Sequence, residues 1–293
     1  MPSARPSWPP ALKPGDPAQL VAASSELEQF ERLEAGLEIL RGWGLQPCGM
    51  ERARRRWRGL AGEDPQRRAD LEAGGPMPLR VGVRGGWGAA RLLEHPPHWQ
   101  EGWLLGFSDV TSLLWARQAH GLAGNLHGPL LTTLAAEPDW SRERLRSLLF
   151  SGEPAALDPL EGEAWAGGSA EGPLLAANLT VATHLLGTTW LPPLQGAILV
   201  LEDVGEQPYR LDRLLSHWRL NGALSGLAGL GFGSFSDCGE PDAVAAVLRE
   251  RSCNLGLPVV AGLAVGHQPG NAVLPLGALA RLDGGSGRLS LLE

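Results

Sequence analysis

Short apolar runs alternate with stretches of helical period along most of the chain. Gln19 to Ala23 reads as a short buried strand. Phe30, Leu33, Leu37 and Leu40 follow at spacings of three and four, which predicts a helix. Gly42 and Gly44 would end that helix, and Leu45 to Cys48 reads as the next strand. Glu63 to Glu72 has a helical pattern, with Asp64 as its N-cap and Pro65 just inside it. Leu79 to Val83 is a strand that runs into Arg84-Gly85-Gly86-Trp87-Gly88, with helix from Ala89 to Leu93. Trp103 to Phe107 is another, leading through Ser108-Asp109 into a helix from Val110 to His120. Strands alternating with helices predict a parallel α/β sheet, whose ligand site lies beyond the carboxyl ends of its strands.

Residues 151–172 change character. They are acidic and rich in small residues and Pro, and read as a linker between an N-terminal α/β domain, 1–150, and a second domain, 173–293. The second half predicts strands at Ala197–Leu201, Leu227–Phe232 and Val259–Ala264, with helices near Leu211–Trp218 and Asp242–Ser252. Residues 1–15 are Pro-rich and read as a loose lead-in. No internal repeat is visible.

Composition narrows the function. The chain has 293 residues, 43% of them hydrophobic and 19% charged, enough for two domains with real cores. A formal charge of −7 opposes nonspecific binding to nucleic acid. The arginine-rich stretch from Arg52 to Arg58 reads as a solvated helix face. Three widely spaced cysteines with no CxxC pair argue against a zinc site or a disulfide framework. The first residues contain no apolar signal-peptide core, and no stretch approaches membrane-spanning length, so a cytoplasmic location is expected.

Four segments could carry chemistry. Ser108 stands at a strand-to-helix turn, where it is either an exposed nucleophile or the cap of the helix that follows. The pattern Gly106-Phe107-Ser108-Asp109 lacks the GxSxG of the α/β-hydrolases. Arg84-Gly85-Gly86-Trp87-Gly88 could hold a phosphate or supply an oxyanion-hole donor, and it is neither GxGxxG nor a P-loop. Glu202 ends an apolar run and needs a partner, either Arg210 with solvent or a histidine. His267 emerges from an apolar run into a Gly/Pro loop. Together these place a nucleophile, an acid and a base at separate strand ends, in the chain order Ser, Glu, His. His267 would take the Ser108 proton, Glu202 would orient the imidazole, and the N–H groups of Gly86 and Asp109 would face the oxyanion. Arg84 and Asn178 are candidate substrate contacts.

In their order and spacing these segments resemble the LD-carboxypeptidases of serine peptidase family S66, which also holds the microcin C immunity peptidases. The resemblance runs through Lys13-Pro14-Gly15-Asp16, Ala61-Gly62-Glu63-Asp64, Arg84 to Gly88, Gly106 to Thr111, His127-Gly128-Pro129, Asn178-Leu179-Thr180, Leu201 to Glu206 and Gly266-His267. It implies a triad of Ser108, Glu202 and His267 at the interface of a flavodoxin-like domain and a smaller β-rich domain of the swivelling β/β/α kind. It also implies a homodimer with no metal or cofactor, acting on a small peptide. The implied reaction releases the terminal D-Ala of murein tetrapeptide by cutting an L,D bond. A microcin-immunity hydrolase of peptidyl-nucleotides, or a noncatalytic binding module on the same fold, is the alternative. Trp87 stands where the family commonly has Tyr, and Ala23-Ser24-Ser25 replaces a more usual Pro-Ser segment; neither departure touches the triad.

Overall fold

The structure, a computed structural model, describes residues 8–293. Two sheets organise it. The first carries strands β1 (Pro17–Val21), β2 (Gln46–Cys48), β3 (Leu79–Gly82), β4 (Trp103–Gly106) and β5 (Asn125–His127), all parallel, in the order β2-β1-β3-β4-β5. That is the flavodoxin-like order, and its reversal lies between β1 and β3. Helices α1 (Phe30–Gly42), α2 (Asp64–Glu72), α3 (Thr111–Ala119), α4 (Leu131–Leu134) and α5 (Asp139–Ser151) accompany it. The period seen in the sequence is the packing period of α1, which buries Leu33, Gly36, Leu37 and Leu40. Strands β3 and β4 are buried at every position, as strands with layers on both faces must be.

The second sheet is built from β6 (Leu160–Glu161), β7 (Glu163–Ala166), β8 (Ser169–Asn178), β9 (Ile198–Val204), β10 (Gly229–Ser236) and β11 (Val259–Ala261). Near the C-terminus, β12 (Leu274–Pro275) departs to the first sheet, while β13 (Leu279–Asp283) and β14 (Arg288–Leu291) complete the second. The order β6-β14-β13-β8-β9-β10-β11-β7 puts β6 and β7 at opposite edges although one residue, Gly162, separates them, so the sheet nearly closes into a barrel. Helices α6 (Leu179–Thr183), α7 (Pro208–Leu220) and α8 (Pro241–Ser252) flank it.

Several sequence expectations change. Residues 151–172 are no linker: they end α5 and contribute β6, β7 and the start of β8, because their small and acidic residues suit exposed edge strands that pair on one side only. The second half also returns, since β12 pairs antiparallel with β5 of the first sheet. Of the lead-in, residues 1–7 lie outside the described residues, and the rest is tied down: Trp8 stacks on buried Trp103 at 6.0 Å, and Leu12 N–H donates to Leu149 O at 2.8 Å. Glu63 rather than Asp64 caps α2, in a capping box with Gln66; Asp64 moves inside the first turn and pairs with Arg67 and Arg91. The arginine patch is not one solvated face either, because Arg52 and Arg55 converge on the buried carboxylate of Asp70, at 3.3 and 2.5 Å. An uncompensated charge there would cost several kcal/mol, so these arginines are structural.

Candidate active site

The turn after β4 holds Ser108 in a left-handed conformation, φ +59, between Phe107 and a single 3-10 turn that runs into α3. A non-glycine residue there costs about 1–3 kcal/mol, and such strain gathers at functional sites. Gly85 lets the neighbouring loop approach: a Cβ on it would lie 2.8 Å from Ser108 Oγ. That loop is pinned twice, by Trp87 N–H donating to Ser25 Oγ at 3.1 Å and by Ala89 N–H donating to Asp109 Oδ2 at 2.8 Å. Burial pushes the Asp109 carboxyl above its ordinary value, with the Ala89 N–H opposing. The Asp109 side chain is therefore a fastener between nucleophile turn and glycine loop, while its backbone N–H opens the helical segment, where N–H groups lack intrahelical partners.

On the other domain, β9 runs to Val204, so Glu202 lies inside a strand rather than at its end. Its side chain is fully buried, and Oε2 accepts the Nδ1–H of His267 at 2.6 Å. Burial lifts the Glu202 carboxyl above its usual range, and the His267 hydrogen bond works against that lift. His267 keeps 19% of its side chain exposed. Its N–H donates to Ser234 Oγ at 3.1 Å, and Phe107 lies under the ring with centroids 4.7 Å apart. A second histidine behind Phe107, His127, is fully buried, and burial and the charge of His267 push its pKa down to about 3. It stays neutral and buried, and His267 is the imidazole that lines the cleft.

Ser108 and His267 line one cleft of about 310 Å³ with Arg84, Gly85, Gly86 and Phe107. The space continues past His267 into a second lobe of about 440 Å³ floored by Ala135, Ala136 and Glu137. A larger hollow of about 690 Å³ lies elsewhere, between Trp8, residues 152–156 and Leu279; serine, cysteine and histidine are missing from its lining, so chemistry selects the smaller cleft. Arg84 lines the cleft and anchors itself by donating from Nη1 to Glu26 O at 2.7 Å. Asn178 does not line it. It is 4% exposed, caps α6 by accepting Val181 N–H at 3.0 Å, and donates to Asp203 Oδ1 at 2.9 Å. The structure thus places it behind Glu202 instead of on the cleft wall, buried and held by its cap of α6 and by Asp203. Glu206 pairs with Arg210, which leaves Glu202 as the carboxylate on His267.

Some residues at the site left no readable trace in the sequence. Arg32, on the exposed face of α1, lines both lobes of the cleft and makes no ion pair among the described residues. Ser234, which holds the His267 backbone, could have been suspected from its place near the end of a glycine-rich apolar strand.

A strained serine, a histidine held by a buried carboxylate, and a flavodoxin-like sheet beside a near-barrel define a serine hydrolase of two domains. Models of the LD-carboxypeptidase N-terminal domain and C-terminal domain match residues 19–128 and 171–282, and the chain belongs to the LD-carboxypeptidase family. It is 33% identical to the murein tetrapeptide carboxypeptidase of Pseudomonas aeruginosa, over 96% of this chain and 98% of that one. A Synechocystis sp. protein whose carboxypeptidase name is itself provisional is 47% identical over 96% of both chains. Among solved structures, the muramoyltetrapeptide carboxypeptidase of Oxalobacter formigenes superposes with a TM-score of 0.81 at 25% identity, covering 94% of this chain and 97% of that one. The microcin self-immunity protein MccF in complex with aspartyl sulfamoyl adenosine shares the fold, with a TM-score of 0.85 at 21% identity, covering 98% and 99%. Among the described residues no helix is long and apolar enough to cross a membrane.

Proposed function

We propose that this protein is a serine carboxypeptidase that hydrolyses the L,D-peptide bond releasing the terminal D-Ala of murein tetrapeptide. The observation that carries the reading is the 2.6 Å hydrogen bond from His267 to buried Glu202 in a cleft shared with the strained Ser108. Ser108 Oγ attacks the scissile carbonyl carbon and its proton passes to His267 Nε2. The carbonyl π pair moves to oxygen, where the N–H groups of Gly86 and Asp109 receive the negative charge. Glu202 stabilises the imidazolium without taking its proton. Collapse breaks the C–N bond, His267 protonates the departing amine, and free D-Ala leaves. Water then attacks the acyl-enzyme, giving its proton to His267, and the C–O bond to Ser108 breaks as Oγ recovers a proton.

A carboxypeptidase must also recognise a free carboxylate. Arg84 is anchored at one side of the cleft, and Arg32 stands between its two lobes. These two guanidiniums supply the positive wall that a C-terminal carboxylate requires. The similarity to the murein tetrapeptide carboxypeptidase of P. aeruginosa and the muramoyltetrapeptide carboxypeptidase of O. formigenes supports the murein substrate.

The test is mass spectrometry of murein tetrapeptide incubated with the protein. We expect one D-Ala released per peptide, and Ser108→Ala should lower kcat by about 10⁴-fold or more. Cleavage of an aspartyl-adenylate analogue without release of D-Ala would overturn the substrate. Undiminished turnover by Ser108→Ala would overturn the mechanism.

A further inference from the structure

We propose that Glu137 is a positioning residue of this hydrolase: it sets where His267 stands relative to Ser108. The proposal rests on the reading of Ser108 and His267 as nucleophile and base, but not on the identity of the substrate.

The two partners of the reacting pair come from different domains. Glu202 and His267 belong to the second sheet and its loops, and Ser108 to the first. The bond from His267 to Glu202 orients the ring within its own domain and says nothing about its distance from Ser108. Phe107 against the ring and the β5–β12 pairing bring the two domains together there, and a directional contact to the loop that carries His267 adds to that registration. Glu137 follows α4 in the first domain and is 5% exposed. Its Oε2 accepts the N–H of Gly270 at 2.8 Å, the N–H of Asn271 at 2.8 Å and the hydroxyl of Ser141 at 3.0 Å. Both backbone donors lie in the loop that carries His267.

The grip reaches the histidine in one further step. Asn271 Oδ1 accepts the N–H of Gly266, the residue before His267, at 3.0 Å. Ala272 N–H donates to Ala264 O at 2.8 Å and closes the base of the loop. A carboxylate from one domain therefore holds two successive N–H groups of the other, and the second of these residues holds the backbone beside the base. Hydrogen bonds to an ionised acceptor are shorter and about twice as strong as neutral ones. Their geometry is directional, which a hydrophobic contact at the same place would not be. Glu137 also lines the lobe that His267 lines.

The experiment compares wild type, Glu137→Ala, Glu137→Gln and Glu137→Asp on two substrates. One is murein tetrapeptide. The other is p-nitrophenyl acetate, whose Ser108-dependent hydrolysis needs the nucleophile and base but no peptide recognition. Misplacing a reacting group by about 1 Å can cost about 10²-fold, so we expect Glu137→Ala to lose kcat by about 10- to 100-fold on both substrates. KM for the peptide should stay within about twofold, because the arginines of the cleft are untouched. Glu137→Gln keeps an oxygen for the two N–H groups and should recover most of kcat, whereas Glu137→Asp, one methylene short, should not. If Glu137→Ala fails to fold, the contrast of Gln and Asp decides. A kcat within twofold of wild type in Glu137→Ala or Glu137→Asp overturns the proposal. So does a loss in Glu137→Gln as deep as in Glu137→Asp, or a rise in KM that accounts for the loss. A wild type that hydrolyses the ester through Ser108 but leaves the peptide intact overturns the murein substrate alone, while one inert towards both overturns the mechanism and this proposal with it.

Discussion

Gly266 stands where three demands meet. Its φ is +123, a conformation that side chains rarely allow. A Cβ there would also overlap Ser234 Oγ and lie 2.9 Å from Glu202 Oε2. The residue before the base must therefore be glycine, so that buried carboxylate, serine hydroxyl and imidazole can crowd together. We expect Gly266→Ala to lower stability by about 1–3 kcal/mol through overpacking, and to depress kcat far more than a comparable loss elsewhere. Urea denaturation beside D-Ala release would check this; wild-type kcat in a folded variant would show that the crowding is not needed. Ser108 shows the complementary arrangement, a residue that keeps its side chain and bears strain for it. Its backbone is left-handed and its hydroxyl lies close to Gly85 in the cleft, and nothing in its own identity announced that conformation.

Among the elements, α1 and α4 show how tightly the cleft's outer wall is built. Gly36 of α1 faces Leu131 of α4 so closely that a Cβ would overlap the Leu131 carbonyl. Helix propensity alone would make Gly36→Ala stabilising by about 1 kcal/mol. Overpacking against backbone costs about 1–3 kcal/mol and should win, so we expect a lower Tm, measured by circular dichroism. A raised Tm would mean that the two helices can part freely. Helix α3 is bound differently. Residues Thr111 to Arg117 are all buried, Trp115 Nε1 donates to Ala176 O at 2.9 Å, and Thr111 Oγ1 accepts Asn178 N–H at 3.2 Å. The helix that follows Ser108 is thus wedged against β8 of the other domain.

Over the whole molecule, several carboxylates are held above their ordinary values by burial, including Glu202, Asp109, Asp70 and Glu137. For each the folded pKa exceeds the unfolded one. The folded state therefore takes up protons first as pH falls, and these groups add stability that is complete only below their unfolded values, near 4. Asp64 acts in the opposite direction: its hydrogen bond from Arg91 lowers its pKa, and its contribution is lost as pH falls through that lowered value. Activity follows the other sign for Glu202, which must be ionised to stabilise an imidazolium. As pH falls through the raised Glu202 pKa we therefore expect kcat/KM to fall while the urea midpoint holds or rises. A midpoint that declines in step with activity would contradict this account.

Much of this molecule was legible in one dimension. The apolar runs located most of the strands, the three-and-four spacing located α1, and the order of motifs brought Ser108, Glu202 and His267 forward together. Local signals suffice there, because periodicity and turn residues act over a few positions. Long-range contacts decided the rest. Residues 151–172 looked like a linker and became β6, β7 and the start of β8, since exposed edge strands need no apolar run. Asn178 carried a motif that suggested a ligand contact, yet both ends of its amide are spent on the backbone of α6 and on Asp203. Glu137 sits in an unremarkable Ala-Ala-Glu-Pro turn and meets Gly270 and Asn271 only through the fold. The sequence by itself determined which residue types could do acid–base and nucleophilic work. Only the tertiary structure decided which of them share a cleft, because a hydrogen bond across more than a hundred residues depends on how two sheets pack and not on any pattern along the chain.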